Sequence, residues 1–253
     1  MKKYSTNLTD SQWNIINNLL QDKRSRKYKI RDIFDAIFYL LKTGCQWRML
    51  PHCFPPWETV YYYFTVWKHK GIIELIHEHL RDKIRMKAGK DKSPSLGLID
   101  SQSVKTTRSG GICRGIDGGK KTKGRKRHII VDSLGLLLAV VVHAANEHDS
   151  KSATKVIKLL KDRFSRLIKI IADGGYRGEL IENTKTAFGI ILEVILRKDD
   201  SPKFHVIPKR WVVERTFAWF ESYRRLSKDF EFLTDTSENM IRLAMIKLMI
   251  NRF

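Results

Sequence analysis

The fold class that this sequence predicts is α/β, a mixed sheet flanked by helices and preceded by a helical region, and three observations carry it. Apolar residues recur at helical spacing through the first 90 positions. Beyond a polar break at 87–95, "KAGKDKSPS", short apolar runs bounded by turn residues take over. From about residue 150 these runs alternate with helical stretches, giving the order βββαβαβα, in which a hairpin comes first and crossovers follow.

In the helical region, Thr9 and Gln12 can form a capping box ahead of "WNIINNLL". "IRDIFDAIFYLLKTG" places Ile33, Phe34, Ile37, Phe38, Leu40 and Leu41 on one face before Gly44 stops it. "PPWETVYYYFTVWKHKG" opens on prolines, and Trp57, Val60, Tyr61, Phe64 and Trp67 are spaced as a core-facing stripe. Ile72 to Met86 is a fourth helix. Four helices over 1–90 suggest a small helix-turn-helix-like domain, with 91–253 as the second domain. There, "LGLID" (96–100), "RHIIVD" (127–132), "LLLAVVVHAAN" (136–146), "LIKIIAD" (167–173) and "IILEVIL" (190–196) read as five strands. "DSLG" is the hairpin turn, so Asp132 has a structural role there. "RWVVERTFAWFESYRRLSKDF" and "SENMIRLAMIKLMINRF" read as two closing helices.

Composition narrows the function. A 253-residue chain with 42% hydrophobic residues builds a core and is not disordered. Forty-eight Lys and Arg against 27 Asp and Glu give a net charge of +21, which fits a polyanionic partner, nucleic acid first of all. The longest wholly apolar run, 136–142, is far short of the roughly 20 residues that cross a bilayer. The N-terminus lacks the apolar core of a secretory signal, so a cytoplasmic protein is expected. Cys45, Cys53 and Cys113 have no metal spacing and are expected to be reduced, mostly buried thiols. His143 and His148 likewise lack a second ligand set and read as structural.

Three acids stand where an acid is costly. Asp100 ends the first strand in this reading, Asp173 ends the fourth in "IIADGGYRG", and Glu214 lies in an otherwise apolar helical stretch. Carboxyl ends of neighbouring strands gather at one sheet edge. If strands one and four are neighbours, Asp100 and Asp173 converge there, and clustered carboxylates call for a hard cation such as Mg2+. In a cationic protein that points to two-metal phosphoryl transfer, the ions about 3.5–4 Å apart. Gly174 and Gly175 would let a phosphate approach. Glu193 and Glu221 rival Glu214 as third carboxylate. Lys120, Lys121, Lys123, Arg125, Lys126 and Arg127, leading into the hairpin, are expected to meet DNA phosphates. Trp211 and Trp219 fit either a DNA-stacking or a core role.

"LIDSQSVKTT", "GGKKTKGRKRHIIVDSLGLLLAVVVHAAN", "IIADGGYRGE" and "RWVVERTFAWFESYRRLSKDFE", with "DAIFYLLKTGCQWRMLP" before them, closely resemble bacterial insertion-sequence DDE transposases of the insertion-sequence-five-like group. The resemblance implies a ribonuclease H-like fold for 91–253, with a mixed five-stranded sheet, and a DNA-binding role for 1–90. It makes Asp100, Asp173 and Glu214 the catalytic, metal-binding triad for two Mg2+ ions, with Mn2+ as substitute. It also implies double-stranded DNA as partner, both terminal inverted repeats and target, a homodimer or higher synaptic complex, a nucleoid-associated location and no membrane. The 72 residues between the aspartates hold a hairpin, a helix and a strand, and the 40 before Glu214 leave no room for a large insertion. Of the family's Tyr-x2-Arg-x3-Glu-x6-Lys signature, Arg210 and Glu214 match, whereas Ile207 and Glu221 depart. On one continuous helix, Arg210 and Arg225 share the face of Glu214, so both are expected to contact DNA, Arg225 replacing the missing lysine. A binding protein with a degenerate core and a nuclease for RNA–DNA hybrids are the competing readings.

Overall fold

The computed structural model describes residues 4–20, 25–108, 110–196 and 210–253. Its elements in chain order are α1 (Asp10–Leu20), α2 (Ile30–Thr43), α3 (Trp57–His69), α4 (Ile72–Lys87), β1 (Leu96–Lys105), β2 (Gly115–Asp117), β3 (Thr122–Val131) and β4 (Leu137–Ala144). Then come α5 (Asp149–Lys158), β5 (Lys169–Ala172), α6 (Leu180–Phe188), β6 (Ile191–Val194), α7 (Trp211–Glu221) and α8 (Thr234–Ile250). They fall into two compact units, one of Met1–Ile84, Phe220–Ser227 and Asn239–Phe253, the other of Arg85–Trp219 and Lys228–Glu238.

Among the described residues, the regular elements of the first unit are all helices. Its local signals act as the sequence says: the N–H of Gln12 donates to Thr9 Oγ1 at 3.2 Å, and that of Thr9 to Gln12 Oε1 at 3.1 Å. Gly44 takes a φ of +73° and closes α2 by donating to Leu40 O at 2.8 Å. The six apolar residues expected on one face of α2 are all buried, and Phe34 stacks on Trp67 of α3 with centroids 4.3 Å apart. Asp35, buried among them, accepts the Leu8 N–H at 2.7 Å. That bond offsets part of what burial costs the carboxyl.

The second unit is built on a mixed sheet with the path β2–β3–β1–β5–β6, and β4 is also paired to β3. β1 lies antiparallel to β3 and parallel to β5, which lies parallel to β6. Five longer strands and the helices around them give a ribonuclease H-like α/β fold, to which β2 adds a three-residue strand absent from the sequence reading. On one side, Ile99, Ile130, Leu138, Ile170 and Leu192 pack with Ala153, Val156 and Ile157 of α5 and Leu180 of α6. Asp132 takes its expected turn role: its Oδ1 accepts from Leu134 N at 2.8 Å and Leu136 N at 2.9 Å, and its Oδ2 pairs with Arg85.

Three expectations need correction. Asp100 does not end a strand, because β1 stays paired with β3 as far as Lys105↔Gly124. The polar run "SQS" interrupts the apolar pattern without interrupting the backbone ladder. Nor does the helix opening near Arg210 reach 230, since α7 stops at Glu221. Asp229 instead donates its N–H to Lys105 O at 2.8 Å, extending the pairing at the end of β1. The thiols are free, but Cys113 is exposed and Cys45 and Cys53 are only half-buried.

At the β1–β3 contact a Cβ added to Gly124 would lie 2.0 Å from the Val104 carbonyl oxygen. Gly124→Ala is therefore expected to spread the two strands and lower unfolding free energy by about 2 kcal/mol or more, read from urea denaturation.

Candidate active site

β1 and β5 are neighbours, as the convergence of the aspartates requires. Their parallel register pairs Leu98 with Ile171. Two residues further along each strand, on the same face, come Asp100 and Asp173. β5 ends at Ala172, so Asp173 sits just past its carboxyl end in extended backbone (φ −87°, ψ 179°), where its Oδ1 accepts the Gly175 N–H at 2.8 Å.

The electrostatics match that placement. Burial first, and then the neighbouring Asp173 charge, push the Asp100 carboxyl up to about 6, against the opposing pull of the Ser101 N–H, Arg210 and Lys120. Arg210, at the entrance of α7, answers the acids: its Nη2 lies 3.1 Å from Asp173 Oδ2 and its Nε 3.4 Å from Glu214 Oε1. Glu214 is thus tied to Asp173 through a guanidinium. Among the described residues no group of three or more His, Cys, Asp or Glu is placed to hold a metal ion. The Asp100–Asp173 pair has the hard oxygen donors and excess negative charge that a divalent cation needs, and Glu214 is not drawn in with them.

A cleft of about 420 Å³ opens here, lined by Asp173, Gly174, Gly175, Arg177, Arg210 and the apolar Ile195 and Leu196. Arg177 went unnoticed in the sequence, although "GGYRG" contains it. A Cβ on Gly174 would come 2.9 Å from its Nη2, and one on Gly175 3.0 Å from Asp173 Oδ1. The two glycines thus make room for the side chains of this turn.

Tyr176 also escaped the sequence reading. It is buried, and its hydroxyl meets His128 Nε2 at 2.8 Å, while His128 Nδ1 meets His143 Nε2 at 3.4 Å and His143 Nδ1 meets Ala144 O at 3.0 Å. Burial holds both imidazoles below their ordinary range and the tyrosine above its own. Both ring nitrogens of His143 are engaged in this neutral chain. His148 caps α5 by accepting from Ser150 N.

A family model described as "Transposase DDE domain" matches residues 91–249, well over half of the chain. The chain belongs to the DDE transposase family. A second model, "Putative transposase of IS4/5 family", matches residues 8–77. Among curated proteins, the chain is 30% identical over 129 residues to a Burkholderia cepacia protein named "Putative transposase for insertion sequence element IS402". That match covers 48% of this chain and 60% of the relative. No solved structure matches.

In this DDE-family chain the basic run is divided. Lys120, Lys121 and Lys123 are exposed. Arg125, Lys126 and Arg127 are not available to DNA as expected, because β3 starts at Thr122 and buries them. Lys126 Nζ lies 3.0 Å from Asp149 Oδ1 and donates to Glu147 O at 3.0 Å. Burial pushes Arg127 down to about 10, opposed by Asp229 and Glu231. Arg225, expected on the α7 face, falls beyond the end of that helix, buried, and donates to Cys45 O at 3.1 Å.

Of the rivals to Glu214, Glu193 on β6 pairs with Lys169 at 2.8 Å. Glu221 belongs to the other unit. Trp211 and Trp219 hold Arg215 between them, its guanidinium carbon 4.4 and 4.7 Å from the ring centroids. Ile207 lies outside the described residues.

Proposed function

We propose that the chain catalyses divalent-metal-dependent cleavage of DNA strands at insertion-sequence ends and their transfer into target DNA. The observation that carries this reading is the position of Asp100 and Asp173, each two residues beyond the paired Leu98 and Ile171 of parallel neighbours, with Asp173 lining a cleft that also holds Arg177 and Arg210. Family membership supplies the reaction class.

Asp100 and Asp173 would hold the ion or ions, Mg2+ or Mn2+, with Glu214 as the third carboxylate once Arg210 releases it. A divalent ion held by these carboxylates would supply Lewis-acid activation of an attacking water or 3′-hydroxyl and charge stabilisation for the leaving oxygen. Arg177 and Arg210 orient the phosphodiester by charge-assisted hydrogen bonds. Tyr176 and its histidine chain keep water out from beneath the acids and fix the 173–176 turn. Lys120, Lys121 and Lys123 follow the DNA backbone, and the helical region at 1–90 binds the element ends. Two copies, each on one end, form the synaptic complex on nucleoid DNA.

The test is a duplex carrying the terminal inverted repeats that flank the gene, incubated with Mg2+. Nicking at the repeat boundary and joining of the freed 3′ end to a second duplex are expected. Cutting of an RNA–DNA hybrid with the duplex left intact would overturn the reading in favour of a hybrid nuclease, and metal-independent binding alone would favour a repressor.

A proton must leave Asp100 before a cation binds. Because its carboxyl titrates near 6, above the ordinary carboxylate value, apparent Mg2+ affinity is expected to climb up to about tenfold per pH unit below that point and to level off above it. Calorimetric titration between pH 5 and 8 checks this, and Asp100→Asn removes the dependence along with most of the affinity.

A further inference from the structure

Helix α3 has an outer side that the fold does not explain. Val60, Phe64 and Trp67 are buried. At about 100° per residue, Tyr62 lies on the face nearly opposite that stripe, and it is 62% exposed. A tyrosine there contributes little to folding, since its ring remains in water.

Around it lies a pocket of about 410 Å³ lined by Arg26, Lys27, Tyr28, Glu58, Thr59, Tyr62 and Tyr63. Its parts are held in place. Arg26 Nη1 donates to the Tyr63 hydroxyl at 2.8 Å, with the guanidinium 5.4 Å from the same ring centroid. Tyr62 and Tyr63 form a T-shaped pair, centroids 5.5 Å apart and planes at 83°, and most of the Tyr62 side chain stays open to solvent. Two cations against one carboxylate make the lining net positive.

We infer that this pocket is a nucleotide-binding subsite of the helical unit, taking one unpaired nucleotide of a DNA strand, its base or sugar against Tyr62 and its phosphates on Arg26 and Lys27. An aromatic ring beside fixed cations is the arrangement that binds single strands, because every base offers a π-face and every nucleotide a charge. The occupant is unpaired, since in a duplex the base faces are covered by their stacked neighbours. The pocket volume suits a single nucleotide rather than an extended peptide. This inference rests on the DNA-directed reading above and adds a contact remote in sequence from Asp100 and Asp173.

The experiment measures fluorescence anisotropy of the full chain, without metal, on a blunt duplex and on the same duplex with a short single-stranded tail. The parent protein is expected to prefer the tailed DNA. Tyr62→Ala should weaken tailed-DNA binding about tenfold or more and leave blunt-duplex binding nearly unchanged, with Tyr62→Phe retaining most of the preference. Lys27→Ala should lower the salt slope on the tailed DNA by about 1. Tyr62 and Lys27 are exposed, so an unchanged melting temperature is expected for both variants.

Tailed-DNA binding by Tyr62→Ala as tight as that of the parent overturns the inference, as does an equal loss on both DNAs. A parent that binds neither DNA overturns the functional reading itself, which separates the two failures.

Discussion

Asp173→Ala is expected to abolish metal-dependent strand cleavage, with a fall of at least about a thousandfold in single-turnover rate, while DNA binding measured without metal stays within a few-fold. The carboxylate is half of the pair that would hold the ion, and it is also what Arg210 grips at 3.1 Å. Removing it frees a cation in the cleft, so metal-free DNA affinity should hold or rise even as chemistry disappears. Arg210→Ala should act the other way on the metal, tightening Mn2+ binding several-fold by removing a competing positive charge, while weakening the hold on the phosphodiester. Calorimetry with Mn2+ on both variants gives a readout independent of turnover. Wild-type cleavage by Asp173→Ala would end the assignment of these acids.

Arg125→Ala is expected to destabilise the sheet unit by about 3–5 kcal/mol, a large fraction of the stability of an ordinary domain. The guanidinium is wholly buried. It donates to Glu231 O at 2.9 Å, Phe232 O at 2.7 Å and Ile112 O at 2.5 Å, and pairs with Asp229 at 3.2 Å. Truncation strands a buried carboxylate together with carbonyls that have lost their donor, the costly half of a broken ion pair. Arg125→Ala/Asp229→Asn should recover part of the loss in urea denaturation, because the orphaned charge is gone. A loss below about 1 kcal/mol would show that water replaces the arginine.

Much of this was legible in the sequence. The Thr9–Gln12 cap and the Gly44 stop are local chemistry, decided within one turn of chain. The neighbourhood of Asp100 and Asp173 was legible because parallel strands one and four bring equivalent positions to the same region, even though the end of β1 was misread. The misreading has a physical cause: "SQS" carries no apolar signal, while a β ladder is held by backbone groups that every residue has. The burial of Arg125 and Arg127 was not legible for a related reason. Charge counts assign a basic run to solvent, whereas the interior partners, the carbonyls of residues 112, 231 and 232 for Arg125 and the acids Asp229 and Glu231 near Arg127, come from other parts of the chain. Arg177 and Tyr176 stood inside a motif read for its aspartate and glycines alone. The end of α7 was missed because what replaces the helix, the pairing of Asp229 beside β1, is again a long-range backbone bond.

Arg215, held between Trp211 and Trp219, bears on the freedom of its neighbour Glu214. Its Nη2 donates to Leu134 O at 3.1 Å, and one residue on, the buried Thr216 Oγ1 lies 3.0 Å from Gly135 O and equally 3.0 Å from Val212 O in its own helix. These contacts oppose rotation of α7 about its own axis: the indoles turn with the helix they belong to, but any roll would draw the Arg215 guanidinium away from Leu134 O and Thr216 Oγ1 away from Gly135 O. Glu214 therefore has only its side-chain torsions with which to change partners, a motion of picoseconds to nanoseconds for an exposed residue rather than the microseconds of a moving helix.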